Sequence, residues 1–452
     1  MTVPTTGAER LFAPGRRAAC GGAVALISML AFESIAVATA MPAVAEALDG
    51  LPFYALAFGA TLATSVLGMT AAGQLCDKRG PYRAALAGLA AFLAGLLLAG
   101  FAPSMPVLVL GRALQGLGSG VLGVTLYVGV AQVVPAALHP RMFAMFAGAW
   151  VVPGLVGPAL ASFLTAYLGW RSVFLTVAAA VPVAAGLMLP ALRRVGAGTG
   201  EALQWGAMRW AVLASVGALV LHAASQQTGL RAAALFLTGL GLAGGAAALL
   251  LPAGSLRAAR GLPAVIALRG LIAATFASAE AFLPLLLTHH FGWSLTQAGG
   301  ALSAGAVTWS LGSAVQARVQ RPAARRRLLT GGFALAAVGL GVVIAPLLGG
   351  GSTGSTGSAG WVLAGWAGVG LGIGLSFPML SVLLLQLSAP EEQGRNTSSL
   401  QLSDALTSSA ALALAGLLFD PATRQVLPVL LLALGLAVAT TLLSPRARAM
   451  TS

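Results

Sequence analysis

Fourteen long apolar runs dominate the sequence and restrict what the chain can fold into. A run of about 20 apolar residues is long enough to cross a bilayer as a helix. Because lipid offers no hydrogen-bond partner to an open backbone, each run is expected to be a helix and not an open strand. The approximate bounds are 20–42, 53–73, 84–102, 106–133, 142–168, 172–192, 209–226, 231–251, 262–288, 294–317, 328–349, 360–388, 397–419 and 425–444. The sequence therefore predicts an all-α polytopic membrane protein with fourteen spans.

The composition excludes a soluble protein, and the sequence contains no motif that predicts an enzyme. Hydrophobic residues make up 58% of the chain and charged residues only 8%, whereas soluble domains are about 25% charged. The two cysteines, Cys20 and Cys76, do not suggest a disulfide framework. We find no metal-ligand spacing, phosphate-binding loop or nucleophile motif, so we expect no catalytic residue, metal or cofactor.

The net charge of +14 indicates membrane topology and not nucleic-acid binding. If the N-terminus is cytoplasmic, most basic residues fall in inner segments, and outer segments hold only Arg171, Arg231 and Arg424. This asymmetry obeys the positive-inside rule. The run at 20–42 resembles a signal peptide, but it is too long for one and contains Glu33. We therefore expect an uncleaved first span, cytoplasmic termini and an inner (plasma) membrane location.

The second half of the chain echoes the first. The glycine-rich segment from Gly111 to Gly120 recurs from Gly365 to Gly374, 254 residues further on (365 − 111), and Arg141 and Arg395 have the same offset. Parallel repeats of this kind are a transporter architecture. The predicted divisions are a cytoplasmic tail 1–19, a six-helix bundle 20–192, a linker 193–208, an inserted helix pair 209–251, a second six-helix bundle 262–444 and a tail 445–452.

Three acidic residues lie inside apolar runs: Glu33 in the first, Glu280 in the ninth and Asp404 in the thirteenth. A carboxylate in hydrocarbon is costly, so such groups face a cavity and mark ion or substrate paths. Glu33 and Glu280 sit in the runs that open the two proposed bundles, which favours a shared central cavity. The alternative is that these acids only hydrogen-bond neighbouring helices.

Two arginines within the runs also need an explanation. Arg112 is expected to have a partner, for which Glu33 is the candidate, and Gln115 follows one turn later on the same face. Arg269 is expected to reach the inner surface instead. His222 is interpreted as a satisfied polar residue and not as a proton carrier.

A charged segment from Gly73 to Arg83 separates the second and third runs and is predicted to be a cytoplasmic loop. Gly73 and Gly80 would permit close approach and a turn. Asp77 would cap a helix N-terminus, or pair with Arg83 and a neighbouring helix end, and so latch the inner face in one state.

Several segments resemble signatures of the major facilitator superfamily and of its fourteen-span drug:proton antiporter branch. They are Gly73-x-Leu75-x-Asp77-Lys78-x-Gly80 with Arg83, Arg112-x-x-Gln115-Gly116-x-Gly118, Gly157-Pro158, the segment from Glu33 to Pro42, and Trp170-Arg171-Ser172-Val173-Phe174. The resemblance implies two six-helix bundles plus two inserted helices. It links Arg112 with proton transfer, and it makes Gly154, Gly157 and Pro158 part of an antiporter motif. Close packing between helices would explain these three residues equally well.

These features predict a proton-coupled exporter of hydrophobic or amphiphilic small molecules that works by alternating access. Glu33 or Glu280 would exchange a proton for substrate, driven by the proton motive force. The expected partners are membrane lipids, substrate and protons, with no nucleic acid, and the expected state is a monomer. An importer or lipid exporter on the same fold, a non-transporting sensor, and a twelve-span chain with 209–251 as a surface hairpin stay open.

Overall fold

A computed structural model describes residues 12–13, 16–135, 138, 142, 145–146, 148–194, 205–227, 229–319, 322–348, 356–389 and 392–447. Several expectations lie outside these ranges. They concern Arg141, most of the N-terminal tail, residues 195–204 of the linker, residues 349–355 of the outer Gly/Ser/Thr segment, and the tail from 448 onward.

The described chain is all-helical. Its long helices are α1 Arg17–Ala47, α2 Tyr54–Arg79, α3 Pro81–Gly100, α4 Met105–Val133, α5 Val151–Leu168, α6 Arg171–Arg194, α7 Trp205–Ala224, α8 Gly229–Leu250, α9 Leu262–Leu285, α10 Leu295–Arg318, α11 Pro322–Leu348, α12 Thr356–Leu387, α13 Gln393–Leu418 and α14 Leu427–Leu443. Short helical turns cover Leu51–Phe53, Ser255–Arg257, Leu286–His290 and Ser444–Ala447. Within the described ranges no strand is found, which confirms the all-α prediction.

Eleven helices in the described part are long and apolar enough to cross a membrane. The multi-pass prediction is confirmed, but this criterion does not reach the predicted fourteen. The helices outside this group are α7, which contains a shorter apolar helix at Met208–Ala224, and α10 and α13. In α13 the reason is polarity, because Arg395 and Asp404 lie among several serines.

The prediction of a loop from Gly73 to Arg83 is wrong. Helix α2 continues to Arg79, and α3 begins at Pro81. Only Gly80 breaks the helix, with a φ of 79° that side-chain-bearing residues rarely adopt. A helix does not end where hydrophobicity ends, because its own backbone hydrogen bonds are satisfied in water and in lipid alike.

The run at 142–168 is also not one continuous helix. Ala149 and Trp150 form a turn, and α5 begins only at Val151. The hydroxyl of Ser28 on α1 donates to the carbonyl of Ala149 at 3.1 Å, which satisfies a backbone group at this break.

Helices α1–α6 and α9–α14 pack in the same order. In the first set α3 packs on α4, α2 on α4, α1 on α5 and α6, and α3 on α6. In the second set α11 packs on α12, α10 on α12, α9 on α13 and α14, and α11 on α14. The two sets meet through α2 against α13 and α5 against α10. Each of these five contacts in the first set therefore has its counterpart in the second.

Glycines repeat this correspondence at the level of residues. On α4, Gly116 lies against Thr61 and Thr64 of α2. On α12, Gly370 lies against Gly305 and Thr308 of α10. The α4 positions recur 254 residues later (370 − 116), whereas the α2 positions recur 244 later (308 − 64). The ten extra residues fall between α11 and α12, where the sequence has its Gly/Ser/Thr segment.

Helices α7 and α8 form a hairpin. Helix α7 packs against both sets of helices and so connects the hairpin to them. Three hydrogen bonds trace α7 along the other helices. Ser215 Oγ donates to Ala63 O at 2.7 Å, His222 Nε2 lies 3.3 Å from Ser409 Oγ, and Gln226 Nε2 donates to Pro52 O at 2.7 Å. As the residue numbers rise from Ser215 to Gln226, those of the partners fall from Ala63 to Pro52. Helices α7 and α2 therefore run antiparallel.

Candidate transport site

Glu33 and Arg112 form a buried ion pair between α1 and α4. Helix α1 contacts α4, and both side chains are almost fully buried, with overall exposures of 4% and 3%. Arg112 Nη1 contacts Glu33 Oε1, and Arg112 Nε donates to the carbonyl of Ala57 on α2 at 3.2 Å. Charges inside a membrane protein require such partners, because hydrocarbon offers none. The partner that the sequence suggested for Arg112 is thus the one the structure places there.

Gln115 completes this cluster from the next turn of α4. Its Oε1 accepts from Arg112 Nη1 at 2.6 Å, which is the same-face contact that the spacing predicts. Its Nε2 is buried and has no hydrogen-bond partner among the described residues.

A second ion pair joins Arg269 of α9 to Asp404 of α13. Arg269 Nε lies 3.0 Å and 3.1 Å from the two carboxylate oxygens. Its Nη1 donates to Phe377 O at 3.2 Å and to Ser381 Oγ at 3.0 Å on α12. The expectation that Arg269 reaches the surface is therefore wrong, because the carboxylate on the neighbouring helix α13 offers stronger compensation than distant water.

Glu280 differs from the other two membrane acids. It lies on α9, is partly exposed, and makes no hydrogen bond or ion pair with the residues that the structure describes. The sequence placed Glu33 and Glu280 in corresponding helices, and the packing of α1 and α9 agrees with that. Their surroundings nevertheless differ, since only Glu33 has a basic partner.

The two helix sets are joined closely at the end of the molecule where α1 meets α2, which we call the α1–α2 end. The Tyr54 hydroxyl on α2 donates to Ala281 O on α9 at 2.8 Å. The Tyr54, Phe282 and Phe419 rings lie 5.2 to 6.5 Å apart between centroids. These aromatic side chains close this end with an apolar plug, which sequence reasoning missed because its members come from three separate helix ends.

A polar cluster lies beyond this plug. Glu46 Oε1, at the end of α1, is 3.3 Å from His289 Nε2 and 3.7 Å from Arg424 Nη1. Nearby, Asp420 accepts from Thr423 Oγ1 at 2.7 Å and from Ala422 N at 3.0 Å, and these hydrogen bonds hold the pKa of its carboxyl below the ordinary value. The loop between α13 and α14 is thereby shaped to present Arg424 to the first helix set.

Helix α5 carries the predicted glycine–proline motif where it meets two helices. A Cβ on Gly154 would lie 3.1 Å from Ala306 of α10, and one on Gly157 would lie 3.5 Å from Phe32 and Ile35 of α1. Pro158 is inside α5, and its carbonyl accepts from Ser162 Oγ at 2.8 Å. Small side chains here allow α5 to approach α1 and α10 together.

The proposed latch residues lie at the opposite end of the molecule. Asp77 and Arg83 are exposed, and neither carboxylate nor guanidinium has an ion-pair partner among the described residues. No side chain caps α3. Gly73 has open space where a Cβ would point. The latch stays a prediction for a state in which this end is closed.

His222 occupies a buried three-way contact among α7, α2 and α13. Its Nε2 reaches Ser409, whose hydroxyl faces the carbonyl of Gly59 at 3.4 Å. Its Nδ1 is buried and has no partner in the described chain. The sequence-based interpretation of a satisfied polar residue thus holds for one ring nitrogen only.

Comparison with known proteins places these features in a family. A model described as Major Facilitator Superfamily matches residues 22–412. An uncharacterized MFS-type transporter of Mycobacterium tuberculosis is 32% identical over 206 residues, which are 43% of this chain and 30% of that protein. Multidrug resistance protein 3 of Bacillus subtilis is 31% identical over 148 residues, 33% of this chain and 29% of that protein. A probable multidrug-efflux transporter of M. tuberculosis is 33% identical over 180 residues, 40% of this chain and 37% of that protein.

The chain thus spans about a third of the length of the curated relatives it matches. Solved structures agree in fold over nearly the whole chain. A POT family transporter in complex with a thioalcohol-conjugated peptide has a TM-score of 0.71 at 16% identity, covering 94% of this chain and 95% of that one. The POT family transporter PepTSo has a TM-score of 0.69 at 15% identity, covering 94% and 97%. The family model covers most of the chain, and the chain belongs to the Major Facilitator Superfamily.

Proposed function

We propose that this protein is a proton-coupled secondary transporter that exports hydrophobic or amphiphilic small molecules by alternating access. The observation that carries the proposal is the placement of three carboxylates inside a helix bundle whose two sets of helices are closed together at one end. Acids at such positions mark ion and substrate paths. Relatives named as a multidrug resistance protein and a probable multidrug-efflux transporter support the substrate class.

The moving parts are a first bundle at 20–192 and a second bundle at 262–444, with the inserted pair 209–251 attached to them. The matched packing of α1–α6 and α9–α14 supports this division. The termini, the linker 193–208 and the end bearing Gly80 would be cytoplasmic, so that the closed α1–α2 end faces outward from the plasma membrane. The described conformation is then closed to the outside.

We also favour fourteen spans, as in the drug:proton antiporter branch. The antiparallel course of α7 along α2 supports this count over a surface hairpin, because a helix lying on the membrane would not follow a spanning helix for several turns. A cysteine introduced at Gln226 should react with an impermeant maleimide from outside the cell. Labelling only after permeabilisation would contradict the proposed topology.

The coupling is tested in liposomes that contain purified protein, with a pH gradient across the membrane. A panel of dyes, drugs and lipids supplies the substrates. We expect substrate movement against its gradient in the wild type and its loss in Glu33→Gln, because an amide cannot carry the proton. If the pH gradient drives substrate movement in Glu33→Gln as strongly as in the wild type, a coupling role for Glu33 is excluded.

The same assay separates the alternatives. Substrate that moves in the same direction as protons would indicate an importer. Movement of lipids alone would indicate a lipid exporter on this fold. Absence of any substrate-dependent proton flux across the panel would favour a sensor and overturn the proposed function.

A further inference from the structure

A cavity lies between α11, α12 and the turn that follows α14. Its volume is about 290 Å³. The lining comes from the first turns of α11, the last turns of α12 and the turn Ser444–Ala447. The residues that line it are distinct from those of the candidate transport site, so the cavity is a separate feature of the second helix set.

This cavity lies at the end of the molecule that bears Gly80. Helix α14 begins beside Arg424, which belongs to the polar cluster at the α1–α2 end. From Leu427 to Leu443 the helix has 17 residues, and a rise of about 1.5 Å per residue carries its last turn about 25 Å away from that end. The turn Ser444–Ala447 therefore lies at the opposite end, which is cytoplasmic in the proposed topology.

One side of the cavity, which we call the apolar wall, is formed by Leu329, Met379 and Leu383. Leu329 and Met379 are buried, and Leu383 is partly exposed. The hydroxyls of Thr330 and Ser444 lie 2.9 Å apart beside this wall, so they satisfy each other and bond α11 to the turn. A wall of this kind is suited to hydrocarbon, because apolar surface gains by leaving water.

The other side, which we call the basic rim, carries Arg325 and Arg326 together with the amide of Gln386. The guanidinium of Arg325 is held in place, because its Nε donates to the carbonyl of Val319 at 2.9 Å. Arg326 is exposed and makes no ion pair with the described residues. A guanidinium binds phosphate oxygens well, since its planar N–H donors match their geometry.

The surroundings of the basic rim add more positive charge. Arg446 donates from Nη1 to Arg257 O at 3.2 Å, and Gly261 N donates to Arg446 O at 2.9 Å, which brings the segment with Arg257 and Arg260 to the cavity. These three arginines are exposed and form no ion pair with described residues. The positive-inside rule explains arginines at this end. It does not explain a cavity that combines two of them with an apolar wall.

We propose that this cavity binds the phosphate headgroup of an anionic phospholipid of the cytoplasmic leaflet. The basic rim contacts the phosphate oxygens, and the apolar wall covers the beginning of the acyl chains. Pockets that enclose whole ligands measure about 300–1,000 Å³. A cavity at the lower limit of that range holds the headgroup and leaves the chains outside, along exposed leucines such as Leu442 of α14.

Two related ligands fit less well. A free phosphate compound has no hydrocarbon to cover the apolar wall. A zwitterionic phospholipid adds an ammonium group, which the arginines around the rim repel. The proposal does not depend on export, and it uses the proposed topology only to assign the leaflet.

Native mass spectrometry of the purified full-length protein counts bound lipids, and a titration gives their affinities. The probes are dioleoyl phosphatidylglycerol and dioleoyl phosphatidylcholine, which share their chains and differ in headgroup charge. We expect the wild type to bind phosphatidylglycerol at least about 10-fold more tightly, as for a contact between a basic site and an anionic lipid. An excess of inorganic phosphate should displace little of it.

The variant Arg325→Gln/Arg326→Gln should weaken phosphatidylglycerol binding by about 10- to 30-fold, the expected loss for two basic residues near an anionic lipid. Its control is Arg193→Gln/Arg194→Gln, the same change at two adjacent exposed arginines that end α6, which should bind like wild type.

A second comparison keeps every charge. Leu383→Trp should weaken binding, because the ring fills the cavity. Leu385→Trp changes an exposed position of the same helix outside the cavity lining and should not. Elution volume and thermal unfolding of each variant identify those that fail to fold, and the two comparisons are independent if one variant is lost.

Equal affinity for the two lipids, or unchanged phosphatidylglycerol binding in Arg325→Gln/Arg326→Gln, would overturn the site. An equal loss in Arg193→Gln/Arg194→Gln would overturn it too, because general surface charge would then suffice. Complete displacement by inorganic phosphate would assign the cavity to free phosphate and overturn the lipid. Because no transport is measured, failure here leaves the proposed function standing, and absence of export from the liposomes leaves this site standing.

Discussion

At the scale of single residues, the membrane acids are distinguished by their partners. Glu33 meets Arg112 and Gln115, Asp404 meets Arg269, and Glu280 meets no base in the described chain. A buried charge whose partner is removed is more costly than a pair removed entirely. The residue scale therefore separates the two acids that are paired with a base from the one that has no base among the described residues.

Replacing Arg112 with Met should destabilise the protein by about 3–5 kcal/mol, because Glu33 would stay buried without its partner. The double variant Arg112→Met/Glu33→Gln should recover much of that loss, since both charges are gone. The unfolding midpoints of the purified variants in detergent measure both effects. A double variant no more stable than Arg112→Met alone would show that the pair does not act as a unit.

At the scale of helices, glycines determine how closely the elements pack. Gly339 of α11 faces Gly365 and Val369 of α12, and a Cβ at Gly339 would lie 2.6 Å from the Gly365 carbonyl. Gly341 lies two residues further along the same helix and has nothing within 4 Å of a Cβ. The two positions are a matched pair, since they differ in packing and not in helix context.

Gly339→Ala should therefore lower the unfolding midpoint, because backbone atoms of α12 cannot move aside as a flexible side chain can. Gly341→Ala should leave it unchanged or raise it, since alanine is favoured over glycine in a helix by up to about 1 kcal/mol. Both are measured by thermal unfolding in the same detergent. Equal effects of the two substitutions would contradict the close packing of α11 against α12.

At the scale of the whole molecule, the contacts between the helix sets cluster at the α1–α2 end. Tyr54, Phe282 and Phe419 form the plug, and Glu46, His289 and Arg424 form the polar cluster beyond it. The charged turn at Gly80 lies at the other end, with Asp77 free of ion pairs in the described chain. Alternating access would open the first group of contacts and close the second.

A flexible bismaleimide between cysteines placed by Glu46→Cys and Arg424→Cys should stop transport, because it ties the two sets together where they must separate. The background is Cys20→Ala/Cys76→Ala. The control is Ala102→Cys/Arg171→Cys, two positions joined by a 3.0 Å hydrogen bond within the first set, which should leave transport intact. Undiminished transport in the first crosslinked variant would show that this end does not open.

Much of the architecture could be predicted from the sequence because it depends on local properties. The apolar runs located the helices to within a few residues in most cases, and the glycine echo predicted the repeated contacts of α4 and α12. Hydrophobicity did not locate the ends of α2, which extends in water through Asp77 to Arg79, nor the break at Ala149. Helix ends depend on backbone geometry, and a positive φ at Gly80 cannot be deduced from hydropathy.

The sequence by itself determined the class of protein, the family resemblance and the positions of the three membrane acids. Only the tertiary structure decided which acid has a partner: Arg112 and Glu33 are 79 residues apart in the chain, and Arg269 and Asp404 are 135 apart. Each apolar run encodes its own insertion into the membrane, because insertion depends on the hydrophobicity of that run and not on distant residues. Charge pairing depends on which faces of distant helices meet, and this left Glu280 as the acid without a base in the described bundle.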